Sequence, residues 1–463
     1  MKRTSCLLLV FFSVVFVQAQ SAARGLSKDE RLRWWKEAKF GMFIHWGISS
    51  VWAGRYQGKE IPGHSEWIMH GAKIPVAEYR RLAGRFRPTA FNAEQWVRIA
   101  RDAGMKYIVF TCKHHDGFAM FGSGVSKLNV VDATPFKRDI VRELAAACRK
   151  YGVRLGLYYS QAQDWLHPGG AASGGSWDPA QKGDMNAYLD TVGVPQVREL
   201  LTKYGPIAEF WWDTPNDMDA EKARKFLPLL ALQPEMITNN RLGGGVPGDI
   251  ETPEQYIPAT GIPGRNWESC MTMNDSWGYK ARDSNWKSSK TLIRSLVDIT
   301  SKGGNLLLNV GPMADGRIPT PSIVRLKEMG GWLARNGEAI YGTAVSPFPY
   351  LPWGRATRKE GKLYLHVFEW PRDGVLRGPL LNKVRRAYLL ATPGKELRTF
   401  VDSGFVMVRV PVECPDTAAT VVVLDIEGKV KVNEDIPGKV AFSSLFTDNM
   451  VLQQRQVTTI RGT

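Results

Sequence analysis

The feature that most constrains this chain is a set of apolar, strand-like runs that each stop abruptly at a polar group. Phe43-Ile44 runs into His45-Trp46-Gly47, and Tyr107-Ile108-Val109-Phe110 leads to Lys113-His114-His115-Asp116. Leu155-Gly156-Leu157 ends in Tyr158-Tyr159, and Phe210-Trp211-Trp212 ends in Asp213. Parallel strands that present such groups at one end describe the active rim of a (β/α) barrel. Between the runs lie amphipathic helical stretches. One has Asn92 as N-cap, Trp96, Val97, Ile99, Ala100 and Ala103 on its apolar face, and Gly104 as its stop. The alternation continues from about residue 26 to 342 and predicts helices over 140–151, 194–204, 220–232, 291–302 and 322–336. The matching strands are 106–112, 153–159, 207–212, 236–239, 266–270 and 305–310, seven or eight in all with the first run.

Glycine- and proline-rich stretches at 165–175 and 243–264 read as long loops over the cleft. Beyond Tyr341 the helical period disappears. Short alternating runs such as Leu363-Tyr364-Leu365-His366-Val367 and Thr420-Val421-Val422-Val423 predict an antiparallel β-sandwich over 347–430. The fold class is therefore α/β: a distorted, TIM-type (β/α)8-like barrel over 26–342, then a sandwich. The length, 463 residues with 44% hydrophobic content, supports one large domain and a smaller one.

Lys2, Arg3, the apolar run from Cys6 to Val17 and the small-residue site at Val17-Gln18-Ala19 read as a secretory signal peptide, residues 1–20, cut near Ala19 or Gln20. This implies a periplasmic or secreted protein with no membrane insertion, since no run is long enough to span a bilayer. Removing residues 1–20 takes away two positive charges and no acids, which lowers the net charge from +16 to +14. The basic residues are dispersed, with no run longer than doublets such as Arg80-Arg81 and Arg385-Arg386, so a nucleic-acid partner is not expected. Cys112, Cys148, Cys270 and Cys414 are widely spaced, without zinc-type spacing, and allow at most one or two disulfides.

Cleaving a glycosidic bond with retention needs a carboxylate nucleophile and a second carboxyl group as acid/base. Asp213, at a strand end behind two tryptophans, is the leading nucleophile, although Thr214-Pro215 would also allow it to be a helix cap. The ordered motifs His45-Trp46-Gly47, Glu66-Trp67, Lys113-His114-His115-Asp116-Gly117-Phe118, Trp211-Trp212-Asp213, Trp267-Glu268 and Gly303-Gly304-Asn305 through Gly311-Pro312 resemble glycoside hydrolase family 29, the α-L-fucosidases, over about residues 30–345. The resemblance implies a retaining exo-α-L-fucosidase acting on fucosylated oligosaccharides or polysaccharides, without metal or cofactor. It makes Asp213 the nucleophile and Glu268 the acid/base, as in the broad-specificity branch, with Glu254 and Glu251 as rivals. It implies that His45, His114 and His115 bind sugar hydroxyls, with Glu66 and Trp67 at the pocket floor. Tyr158 and Trp211 lie beside the nucleophile, Arg241 orients it, and Trp277 packs on the sugar methyl group. Tyr159 is an alternative to Tyr158.

Residues 442–454 resemble the start of a sialate O-acetylesterase-like domain, which makes 436–463 a linker or a truncated further domain. Two other readings compete. A mononuclear metal hydrolase could use His45, His114, His115 and Asp213, although the tryptophans around Asp213 would crowd an ion. A non-catalytic fucose-binding module would need no acids.

Overall fold

The computed structural model describes residues 26–433; the leader-like segment and the esterase-like stretch lie outside them. Seven parallel strands form one sheet: β1 (Phe40–Ile44), β2 (Tyr107–Lys113), β3 (Arg154–Tyr159), β4 (Glu209–Trp212), β5 (Ile237–Thr238), β6 (Glu268–Met271) and β7 (Asn305–Val310). Their spatial order is β5-β4-β3-β2-β1-β7-β6. Parallel strands buried on both faces need apolar side chains inside and out. Accordingly every residue of β1, β2, β4, β6 and β7 is buried.

No ladder joins β5 to β6. Residues 250–254 fill the gap as an irregular eighth strand, with parallel bridges Asn239↔Ile250, Glu251↔Trp267 and Glu254↔Cys270. This corrects the expectation of one long loop over 243–264, because part of that stretch is barrel wall. The barrel is distorted at this point because the closing segment carries Pro253, which has no N–H to give to a ladder.

The flanking helices begin and end where their caps dictate. Asn92 accepts from the Gln95 N–H ahead of α2 (Ala93–Asp102), and Asp139 accepts from Arg142 N–H ahead of α3 (Ile140–Tyr151). Gly152 stops α3 at φ 68°, a left-handed conformation suited to glycine. Ahead of these two, α1 (Lys28–Ala38) buries Leu32, Trp35 and Ala38. The single helix expected over 220–232 is instead two turns, Ala220–Arg224 and Leu227–Leu230. Pro228 would clash with the preceding helical turn and removes a hydrogen-bond donor, so a new helix starts there.

Two antiparallel sheets follow the barrel. One has five strands, β8 (Gly354–Lys359), β9 (Lys362–Val367), β11 (Val384–Leu389), β12 (Thr392–Glu396) and β15 (Thr420–Ile426); the other has three, β10 (Val375–Gly378), β13 (Thr399–Asp402) and β14 (Phe405–Arg409). Leu365, Leu376, Val408 and Val422 are among the apolar residues packed between them. The sandwich seats against the barrel helices through Trp332 Nε1, which donates to Ala419 O at 2.9 Å, and Arg294 Nε, which donates to Ala418 O at 2.9 Å. The four cysteines of the described residues are free thiols, and no described helix is long and apolar enough to cross a membrane.

Candidate active site

Asp213 leaves the end of β4 with its backbone N–H given to Gln161 Oε1 at 3.0 Å. The next residue, Thr214, sits at φ 41°, a strained conformation for a β-branched side chain, and turns the chain sharply behind the carboxylate. Tyr158 donates its hydroxyl to Asp213 Oδ2 at 2.8 Å, and Arg241 Nη1 donates to Oδ1 at 2.8 Å. Burial opposes ionisation of Asp213, but the Arg241 guanidinium and the hydrogen bonds from Arg241 and Tyr158 outweigh it and hold the carboxyl below its ordinary range. Arg241 is itself fixed, with Nε on Thr252 Oγ1 at 2.9 Å, Nη2 on Thr252 O at 2.8 Å and its Cζ 4.7 Å from the Trp211 ring centroid.

The same Arg241 Nη1 donates to Glu254 Oε2, also at 2.8 Å. The two carboxylate oxygens are therefore at most twice that distance apart, about 5.6 Å. Arg241, Asp213 and Glu254 share one pocket with Phe43, His45, His64, Glu66, Trp67, His114, His115, Tyr158, Thr214, Trp211, Cys270 and Trp277. All nine residues expected to bind the sugar are in it. Strand alternation resolves the tyrosine pair: Tyr158 points inward, while Tyr159 donates to Gln196 Oε1 at 2.8 Å behind the wall.

Glu268, expected as the acid/base, does not line the pocket, contrary to the expectation that it sits at the rim. It is the first residue of β6, not the last, so it lies at the floor of the barrel. There it accepts from Trp35 Nε1 at 3.3 Å and from the Tyr107 hydroxyl, and it faces Glu209. Burial pushes its carboxyl up to about 7. Cys270, two residues further along the same inward face, is the one that reaches the pocket. Glu251 is turned away, bonded to Asn240 and Arg265. Of the three acids considered, only Glu254 faces Asp213.

The histidines are shielded from charge. Burial lowers His45 to about 3 and His115 to about 4, and takes His114 well below the ordinary value. His45 Nδ1 lies 2.7 Å from Asn309 Oδ1, and His115 Nδ1 lies 2.7 Å from Ser160 Oγ. His114 stacks on Tyr158 with centroids 5.4 Å apart. Glu66 accepts from the Gly278 N–H at 2.7 Å and leaves Oε1 without a partner. Trp277 and Phe43 line the apolar side, 6.0 Å apart.

Sequence reasoning missed Phe43, His64, Thr214 and Cys270 as wall residues. Phe43 was within reach, because it precedes His45 by the two residues that return a strand to the same face. Size alone does not find this site: the cavity is about 150 Å³, whereas a cleft of about 720 Å³ opens at the opposite end, beside Trp34, Arg33 and Arg154. The smaller cavity is the one into which the strand ends and the two carboxylates converge.

A parallel barrel whose rim sets two carboxylates across a histidine- and tryptophan-lined pocket is built as a glycoside hydrolase. Residues 16–338 match the profile of the family described as alpha-L-fucosidase, and the chain belongs to that family. Plasma alpha-L-fucosidase of Homo sapiens is 35% identical over 374 residues, covering 74% of this chain and 77% of that one. The crystal structure of alpha-L-fucosidase from Vibrio sp. strain EJY3 superposes with a TM-score of 0.82 at 36% identity, over 89% of this chain and 75% of that one. A GH29 alpha-L-fucosidase from Bacteroides thetaiotaomicron, trapped as a covalent intermediate with 2-fluoro-fucosyl fluoride, superposes with a TM-score of 0.78 at 29% identity, over 88% of this chain and 98% of that one.

Proposed function

We propose that this retaining exo-α-L-fucosidase uses Asp213 as its nucleophile and Glu254 as its acid/base. The observation that carries the assignment is the shared Arg241 nitrogen, which keeps the two carboxylate oxygens within about 5.6 Å. Retaining enzymes set their two carboxyl groups ≈ 5–5.5 Å apart, too close for a water to attack directly. In the first step Asp213 Oδ attacks the anomeric carbon while Glu254 gives its proton to the departing glycosidic oxygen. The result is a fucosyl ester on Asp213 and a free aglycone. In the second step the Glu254 carboxylate takes a proton from water, whose oxygen attacks the same carbon and releases fucose and Asp213. Two inversions at one carbon give net retention. Arg241 and Tyr158 keep Asp213 ionised and aimed, and His45, His114, His115, Glu66 and Trp67 bind the ring, with Trp277 against its methyl group.

The test is turnover of 4-nitrophenyl α-L-fucopyranoside by wild type, Asp213→Ala and Glu254→Ala, with azide added. Azide rescue of Asp213→Ala should yield the inverted fucosyl azide, and rescue of Glu254→Ala the retained one. An unimpaired Glu254→Ala enzyme would return the acid/base to another carboxyl group.

Three finer readings accompany this one. The Glu254 side chain is 42% exposed at the rim, which leaves the leaving-group side open and supports the broad-specificity branch; comparable rates on several fucosyl linkages would bear on it. Export to the periplasm or medium rests on the residue pattern of 1–20, and intact mass of the processed protein tests it. The likeness of 442–454 to an esterase domain is tested by reading the gene beyond residue 463.

A further inference from the structure

The hydrogen-bond partners behind two pocket histidines fix which ring nitrogen carries the proton. Asn309 donates Nδ2 to Trp277 O at 2.7 Å. A carbonyl oxygen only accepts, so the amide orientation is settled and Oδ1 is the atom that meets His45 Nδ1 at 2.7 Å. That oxygen also only accepts, so His45 Nδ1 must carry the hydrogen. In a neutral ring, Nε2 is then a bare acceptor.

An independent chain of bonds gives the same result at His115. Ser160 donates its one hydroxyl hydrogen to Gln163 O at 2.9 Å, which leaves Oγ to accept from His115 Nδ1 at 2.7 Å. His115 Nε2 therefore carries no hydrogen; it lies 3.5 Å from Asp213 Oδ2 and accepts only a long bond, 3.4 Å, from the Thr214 hydroxyl, which a sugar hydroxyl at the cavity can replace. Two acceptors so placed, Nε2 and the carboxylate, are complementary to a hydroxyl that donates between them.

We propose that Asn309 and Ser160 are positioning residues that lock His45 and His115 as Nδ1–H tautomers, so that the pocket accepts only a sugar whose ring hydroxyls are free to donate. The inference rests on the proposed reading of this pocket as the fucose site. An ester, ether or sulfate on such a hydroxyl removes the donor and adds bulk in a cavity of about 150 Å³. A site built to hydrogen-bond a hydroxyl rejects an analogue that cannot supply it by large factors, because buried polar groups are left unpaired. The enzyme thus acts after ring substituents have gone: on O-acetylated or O-sulfated fucosides, an esterase or sulfatase must act first.

Two measurements test this. The first is 15N NMR of the wild-type enzyme labelled at histidine, between pH 6 and 8. His45 and His115 should appear as neutral Nδ1–H rings, and Ser160→Ala should disturb the His115 pattern while leaving that of His45. Either ring found as the Nε2–H tautomer or the imidazolium overturns the lock. The second compares 4-nitrophenyl α-L-fucopyranoside with its 2-, 3- and 4-O-methyl ethers on the wild-type enzyme. At least two ethers should lose about 100-fold or more in kcat/KM; if no more than one is slowed, the selectivity is overturned. No turnover of the parent fucoside would sink the fucosidase reading instead, and the NMR result would still decide the tautomers.

Discussion

The two ends of this barrel each hold a pair of glutamate or aspartate side chains, and the pairs differ in what surrounds them. At the rim, Asp213 and Glu254 share the Arg241 guanidinium, and Asp213 also accepts from Tyr158. At the floor, Glu209 and Glu268 face one another under Tyr107 and Trp35, and no donor hydrogen-bonds either Glu209 oxygen among the described residues. Burial weighs against charge at both ends, but only the rim supplies a cation against it. Asp213 is held ionised, while burial and the charge of its neighbour push Glu209 well above the ordinary range. One residue chemistry thus yields an ionised carboxylate at one end and a proton-holding pair at the other.

The largest effects should come from the rim. Asp213→Ala should lower kcat by at least about 10^4-fold, as removal of a covalent nucleophile does in other hydrolases. Glu254→Ala should lower kcat/KM about 10²- to 10⁴-fold on natural glycans. The loss should be smaller on a nitrophenyl fucoside, whose leaving group needs little protonation. Glu268→Gln, measured in parallel, should keep wild-type kcat and KM. If Glu268→Gln were instead as impaired as Glu254→Ala, the division between rim and floor would fail.

That division was only partly legible in the sequence. The strands announced themselves because parallel strands buried on both faces need unbroken apolar runs, and the polar residue that ends each run marks the rim, as at His45 and Asp213. Glu268 misled for a physical reason: its strand has four residues and begins with the acid, so the apolar Trp267 before it mimicked a strand end. Glu254 was hidden because residues 250–254, Ile-Glu-Thr-Pro-Glu, have no apolar alternation. Their place in the wall comes from hydrogen bonds to β5 and β6, such as Glu268 N–H to Glu251 O at 2.8 Å, which are tertiary contacts no local pattern encodes. Likewise, the roles of Asn309 and Ser160 depend on which carbonyl each one faces.

A subtler rim effect follows from Arg241. Its guanidinium is the main attraction that overrides burial at Asp213, so Arg241→Met should raise the carboxyl's pKa. The proposed nucleophile, Asp213, must be the carboxylate, and a depressed pKa keeps that form available as the pH falls. In the variant the acidic limb of kcat/KM should move to higher pH, with the loss of rate greatest in acid. An acidic limb that stays in place would mean that the Tyr158 hydroxyl, rather than Arg241, holds the charge.

The smallest effect is expected at the floor, on stability rather than turnover. Glu268 rises from its ordinary 4.5 to about 7 in the folded protein, so the native state binds this proton more tightly than the unfolded chain does. For an acid shifted upward, unfolding releases a proton in that window, so the Glu268 contribution to native stability is lost as pH rises from 4.5 toward 7, and Glu209, also raised, extends the decline. The share of the slope from Glu268 is bounded at about 1.4 kcal/mol per pH unit. Glu268→Gln keeps an oxygen for Tyr107 and Trp35 and adds an amide that can donate to Glu209, so it removes the titration without emptying the site. Thermal melts of the two proteins from pH 4.5 to 8 should therefore converge in acid and separate with the variant higher in base. Parallel curves would mean that the floor pair does not hold a proton, and a melting point of the wild type that falls on adding a chelator would mean that a cation, not a proton, sits between the two glutamates.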